Sequence, residues 1–270
     1  MSNGYGIIRA TKPASYAPYQ STGSPRRVVI APRKQHWSAG FVMGRLLIVF
    51  ALVALCVVAF YGSRGYSMYR EALAETSVPT MVEQIEASPG FTPIEELPQR
   101  YLDAVVAVED HRFYLHPGFD VIATGRALVN DLRAGSFVEG GSTITQQLAK
   151  NQFFTQDREL ERKVAEVFMA FELESHLPKS DVLELYVNSI YFGNGYYGIH
   201  DASMGYFGKE PAELTDYEAT MLAGIPNAPS AYAPTANPEL AKERQLQVLR
   251  QMVEYKMITP AESTEIAQAA

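Results

Sequence analysis

The sequence predicts a mainly α-helical protein, in which one apolar helix long enough to cross a bilayer precedes a helical body. Three observations lead there. Leu46 to Tyr61 is an apolar run without a single charge. Beyond it, Thr215-Asp-Tyr-Glu218 and Thr259-Pro-Ala-Glu262 are capping boxes, in which a threonine and a glutamate three residues later mark helix starts. Long strands with period-two alternation are missing, and Pro178, Pro211, Pro226, Pro229, Pro234 and Pro238 cut the body into short helical units.

Taken in chain order, the first 45 residues hold seven of the 23 basic residues and none of the 30 acidic ones. The net charge of -7 therefore conceals a remainder at -14. A basic head on an acidic body argues against a nucleic-acid binder, so no nucleic-acid partner is expected. Residues 1–40 read as a disordered basic tail. Residues 41–62 read as the transmembrane helix, with Arg45 snorkelling toward the headgroups. The run lies too far from the start, and is too long, for a cleaved signal peptide. Excess Lys and Arg ahead of it place the N-terminus in the cytoplasm and everything after Gly62 outside. The single cysteine, Cys56, lies within the run and forms no internal disulfide. Scattered Pro and Gly, among them Pro79, Pro89, Gly90 and Pro93, make 63–95 an expected stalk with at most one short helix or strand, and 96–270 the main domain. At 270 residues and 47% hydrophobic content, one sizeable core is expected.

Chemistry-bearing residues begin at a helix end. Leu102, Val105, Val106 and Glu109 stand at i, i+3, i+4 and i+7, so an acid shares a stripe with three apolar residues. Such a carboxylate either turns to water at the helix end or lines a cleft, where lost hydration raises its pKa and strengthens it as a base. His111 and His116 read as packing or hydrogen-bonding residues, because five scattered histidines give no metal-ligand spacing. Gly140 to Asn151 joins glycines to hydroxyl, amide and ammonium groups, which suits sugar hydroxyls and a phosphate, or simply a loop feeding a capped helix. No phosphate-binding loop of the nucleotide type occurs. Arg162, Lys163 and Glu166 fall within one helical turn, either as a surface pair worth about 0.3–0.5 kcal/mol or as a cationic site for a leaving diphosphate. Phe119, Val121, Ile122, Ala123, Ala127, Leu128, Val129 and Leu132 supply an apolar face for the core or for the membrane interface.

The order of these segments carries a resemblance. Glu109-Asp-His-Arg-Phe-Tyr-Leu-His-Pro-Gly118, Gly141-Ser-Thr-Ile-Thr-Gln-Gln-Leu-Ala-Lys150 and Arg162-Lys-Val-Ala-Glu166 resemble the first three motifs of glycosyltransferase family 51, the peptidoglycan glycosyltransferases that also form the transglycosylase domain of penicillin-binding proteins. Tyr186-Val-Asn188 through Tyr206-Phe-Gly-Lys209 looks like the fourth motif, with Val187 where the family usually has Leu. Glu218 through Pro238-Glu239 looks like the fifth.

What the resemblance implies is specific. The fold would be a lysozyme-like, two-lobed helical domain. The substrates would be lipid II and a growing glycan chain, joined by a β-1,4 linkage with release of undecaprenyl diphosphate in an inverting single displacement. Glu109 would be the general base and Glu166 the second acidic residue. Lys150, Arg162 and Lys163 would receive the diphosphate, and Ser142, Thr143, Gln146 and Gln147 would contact sugars and phosphates. Mg²⁺ or Mn²⁺ would be the cofactor, with Glu166 as candidate ligand, and no organic cofactor is implied. The enzyme would sit in the plasma membrane as a single-pass protein, alongside other cell-wall synthesis proteins. The transpeptidase signatures S-x-x-K, S-x-N and K-T-G do not occur, so a monofunctional enzyme is expected. Two alternatives are a lysozyme-like hydrolase or lytic transglycosylase, which needs a protonated acid at the scissile oxygen, and a catalytically silent membrane scaffold.

Overall fold

The computed structural model describes residues 14–15, 39–135, 140–155 and 159–269. The expected tail thus lies almost wholly outside the described residues. The chain falls into two units, Met1–Val49 and Phe50–Ala270. In the first, the described part is mainly the start of helix α1 (Ala39–Glu75), where the Arg45 guanidinium lies 4.3 Å from the centroid of the Phe41 ring.

Among its described residues, the second unit holds the rest of α1 and eleven further α-helices: α2 (Val78–Glu86), α3 (Gln99–Glu109), α4 (Val121–Ala134), α5 (Ile144–Phe153), α6 (Glu159–His176), α7 (Lys179–Val187), α8 (Gly198–Phe207), α9 (Asp216–Gly224), α10 (Pro229–Tyr232), α11 (Pro238–Glu254) and α12 (Pro260–Gln268). Among the described residues there is no β-strand, only one isolated bridge between Tyr191 and Tyr197. The mainly α expectation holds. α1 is long and apolar enough to cross a membrane, and its side chains from Leu46 to Phe60 are exposed. Both expected capping boxes form: Thr215 accepts from the Glu218 N–H at the start of α9, and Thr259 from that of Glu262 at the start of α12.

The expected stalk holds more helix than one short element, and it packs on the body. α1 runs on to Glu75, α2 follows directly, and Tyr69, Ala72, Val78, Met81 and Ile85 are buried in the core. Pro79 does not break this helix, since it occupies the first turn of α2, where a missing N–H costs nothing. The helical pattern was present in Val78, Met81, Val82 and Ile85, at i, i+3, i+4 and i+7. The segment after α2 is tied down by Asn188: its Oδ1 accepts from the Thr92 N–H at 2.9 Å and its Nδ2 donates to the Thr92 carbonyl at 2.8 Å.

Around this core, α3 packs on α9 and α11, and α5 on α6 and α7. The loop between α3 and α4 leans on α6 at Gly118, whose φ is +85° and whose Cβ, were there one, would lie 2.7 Å from the Ala170 carbonyl oxygen. Only glycine fits there. The α4 face is largely exposed at Val121, Ile122, Val129 and Leu132, whereas Ala127 is buried and the Leu128 side chain lies outside the described residues.

Candidate active site

Glu109 is the last residue of α3, so its side chain leaves a rigid helix where α5 approaches. Gln147, in the second turn of α5, donates from Nε2 to Glu109 Oε2 at 2.7 Å. Tyr186, near the end of α7, donates from its hydroxyl to Gln147 Oε1 at 3.2 Å. Three helices thus fix one oxygen of the carboxylate. The other, Oε1, is buried and has no hydrogen-bond partner among the described residues. Burial raises the Glu109 pKa above the ordinary glutamate value, opposed by the Gln147 hydrogen bond and by the positive charges of Arg244 and Lys150. Of the two readings of Glu109, the water-facing helix end does not fit, because the carboxylate is buried.

One turn further along α5 is Lys150. Its pKa is lowered, first by burial and then by repulsion from Lys163 and Arg162, with Glu166 and Glu109 acting in the opposite sense. Lys150 therefore feels both the Glu109 carboxylate and the cations of α6. There, Glu166 is fully buried, with Oε1 3.3 Å from Arg162 Nε and Oε2 2.6 Å from Lys163 Nζ. Lys163 also donates to Ser142 Oγ at 3.0 Å. The surface-pair reading of this triad fails on burial, since the Arg162 side chain is only 8% exposed and that of Glu166 not at all. The Lys163 side chain is half exposed, at 46%.

Thr143 and Gln146 are placed differently from Gln147. Together they form the capping box of α5: Thr143 Oγ1 accepts from the Gln146 N–H, and Gln146 Oε1 accepts from the Thr143 N–H, both at 3.1 Å. The Thr143 hydroxyl further donates to the Gly118 carbonyl at 2.6 Å. Both residues are buried, and their polar groups serve the helix start that carries Gln147 and Lys150.

Behind Glu109, Asp110 holds the loop. His116 Nε2 lies 3.1 and 3.0 Å from its two oxygens, and the Ile144 N–H donates to Oδ2 at 3.2 Å. His111 stacks on Tyr255, with centroids 4.1 Å apart and planes within 7°. Both histidines are thus packing and hydrogen-bonding residues, as their spacing suggested.

The residues do not fit a divalent cation at Glu166, because both of its oxygens already face cations and a metal ion would meet Arg162 and Lys163 as like charges. Asp110, His116 and Asp120 do bring ligand atoms within 4.8 Å of one another. Their carboxylates are committed, however, Asp110 to His116 and Ile144 and Asp120 to Arg112 at 2.7 Å and to the α4 N-terminus.

Arg244 and the Tyr186 hydroxyl were not singled out as site groups in the sequence. Arg244 left a signal there: Ala241, Arg244, Gln245, Val248, Leu249 and Met252 form one stripe of α11, and a charge on a buried stripe asks for a partner. Tyr186 left none beyond its place in a motif.

The family described as Transglycosylase matches residues 78–253. A Cupriavidus necator protein that carries the name of a transglycosylase is 40% identical over 214 residues, covering 78% of this chain and 92% of that protein. Penicillin-binding protein 1A of Aquifex aeolicus is 45% identical over 175 residues, and penicillin-binding protein 1F of Bacillus subtilis 48% over 170. The matches cover 65% and 63% of this chain but only 24% of each of those longer proteins.

Proposed function

The chain belongs to the transglycosylase family, the peptidoglycan glycosyltransferases, and from that premise we propose that it polymerises lipid II into β-1,4-linked glycan, with Glu109 as general base. The single observation that supports this most is the carboxylate with one oxygen fixed by Gln147 and the other buried without a partner among the described residues, within the electrostatic reach of Lys150. Glu109 Oε1 takes the proton of the acceptor sugar hydroxyl as that oxygen bonds to the anomeric carbon of the donor. The bond from that carbon to the diphosphate oxygen breaks with inversion, and its electron pair leaves on undecaprenyl diphosphate. Lys150, Arg162 and Lys163 receive the growing negative charge, and Glu166 holds the last two in place.

A leaving diphosphate needs cations rather than a protonated acid, and this favours transfer over glycosidic hydrolysis. A raised Glu109 pKa brings the base nearer to working pH, where proton transfer is most efficient. In this reading α1 anchors the enzyme in the membrane that also holds the substrate, with the N-terminus cytoplasmic and the catalytic body outside. The exposed apolar face of α4 adds a second contact with the interface. The purified chain, given labelled lipid II in detergent, should yield glycan polymer with undecaprenyl diphosphate released one for one. Shortened glycan from preformed polymer, with no elongation, would contradict the proposal and return the hydrolase.

A further inference from the structure

α6 has two working faces. Glu161, Val164, Phe168 and Glu172 are spaced by three and four residues and share one side of the helix, and each meets α1. Arg64 Nε lies 3.1 Å from Glu161 Oε1, the Tyr66 and Phe168 rings meet edge to face at 5.3 Å, and the Tyr69 hydroxyl donates to Glu172 Oε2 at 2.9 Å. At about 100° per residue, Arg162, Lys163 and Glu166 fall on the opposite side. The helix that carries the cations is therefore gripped from behind by the continuation of the apolar helix.

The grip closes on Gly65. A Cβ there would lie 2.6 Å from Val164 Cβ and Cγ1 and 2.9 Å from the Glu161 carbonyl oxygen, so no other residue allows this approach. The apolar run ends at Tyr61, and Gly65 is four residues on, about 6 Å along the helix axis. That is about the depth of the headgroup layer flanking a bilayer's hydrocarbon core, where the diphosphate of a lipid-linked substrate would lie.

We propose that Gly65 is a positioning residue: by allowing α1 to seat directly on α6, it fixes the level of Arg162 and Lys163 relative to the bilayer surface. The inference rests on the reading of this site as one for a lipid diphosphate. The grip lets the substrate in the membrane meet its cations without displacement of either. A substrate free in solution reaches the same cations whatever their level.

The test compares Gly65→Leu with the unaltered full-length protein on two substrates: lipid II in phospholipid vesicles, and a short-chain, water-soluble lipid II analogue without a bilayer. Leu favours helix over Gly, so α1 itself is not weakened and any loss comes from the dock. Expected is a fall of about 10-fold or more in kcat/KM with the vesicle substrate and less than about 2-fold with the soluble one, since an ångström of misplacement is worth up to about 100-fold. Parallel loss on both substrates, or loss on neither, overturns the proposal. If Gly65→Leu does not fold, the double variant Arg64→Ala with Tyr69→Phe decides, with a loss confined to vesicles supporting the dock and no such selectivity refuting it. Failure of the unaltered protein on both substrates would instead sink the functional reading itself.

Discussion

Replacing Gln147 by Leu removes the donor from Glu109 Oε2 while keeping most of the side-chain volume. The lost contact is a 2.7 Å hydrogen bond to a charged acceptor in a buried setting, a class worth about 1.5–3 kcal/mol. At about 1.4 kcal/mol per decade, a base held only by its own rotamers should therefore lose between about 10-fold and 100-fold in kcat/KM at neutral pH. The direction with pH is fixed as well. The Gln147 hydrogen bond favours the ionised carboxylate and opposes the upward push of burial, so without it the Glu109 pKa rises further. Because the reaction needs the ionised form, the acidic limb of the pH profile should move to higher pH, and part of the loss should be recovered in alkaline buffer. The assay is initial-rate polymerisation of labelled lipid II across pH for the unaltered protein, Gln147→Leu and Tyr186→Phe. The tyrosine variant leaves the Gln147 donor in place and should lose no more than about 10-fold. A limb that stays put, or moves to lower pH, would refute the reasoning.

Other expectations follow from the same geometry. Glu109→Gln should be more stable than the unaltered protein at pH 7: a carboxyl whose folded pKa is raised costs stability as pH climbs from its unfolded pKa through its folded one. The advantage should vanish as pH falls below the ordinary glutamate range, a difference that urea midpoints at the two pH values will detect. Glu166→Gln should cost about 3 kcal/mol in urea unfolding, at the low end for a broken buried ion pair because Lys163 is half exposed and water takes up its charge. Unchanged stability would mean that the triad is not the buried unit described. Asn188→Ala leaves a buried N–H and a carbonyl of Thr92 without their partner and should cost about 2–4 kcal/mol, with hydrogen exchange quickening first at Thr92.

Much of this was legible in the sequence, for identifiable physical reasons. The long apolar helix announced itself through sixteen consecutive uncharged residues, and the two capping boxes because their partners lie three residues apart. The burial of Glu109 was legible in the apolar stripe it shares. What stayed hidden depends on contacts between distant segments. Nothing near Gln147 tells that it meets Glu109, 38 positions away, while its neighbour Gln146 turns back on its own helix start. Likewise Pro79 and Pro89 read as a stalk, although the burial of Met81 and Ile85 against the body decides that segment's structure.

The central claim, that the Glu109 carboxylate takes the acceptor's proton, is tested most directly by one comparison. Unaltered protein and Glu109→Gln, matched for folding by circular dichroism, are given labelled lipid II under single-turnover conditions. Glycan product is expected from the first and essentially none from the second. Equal product from both would contradict it.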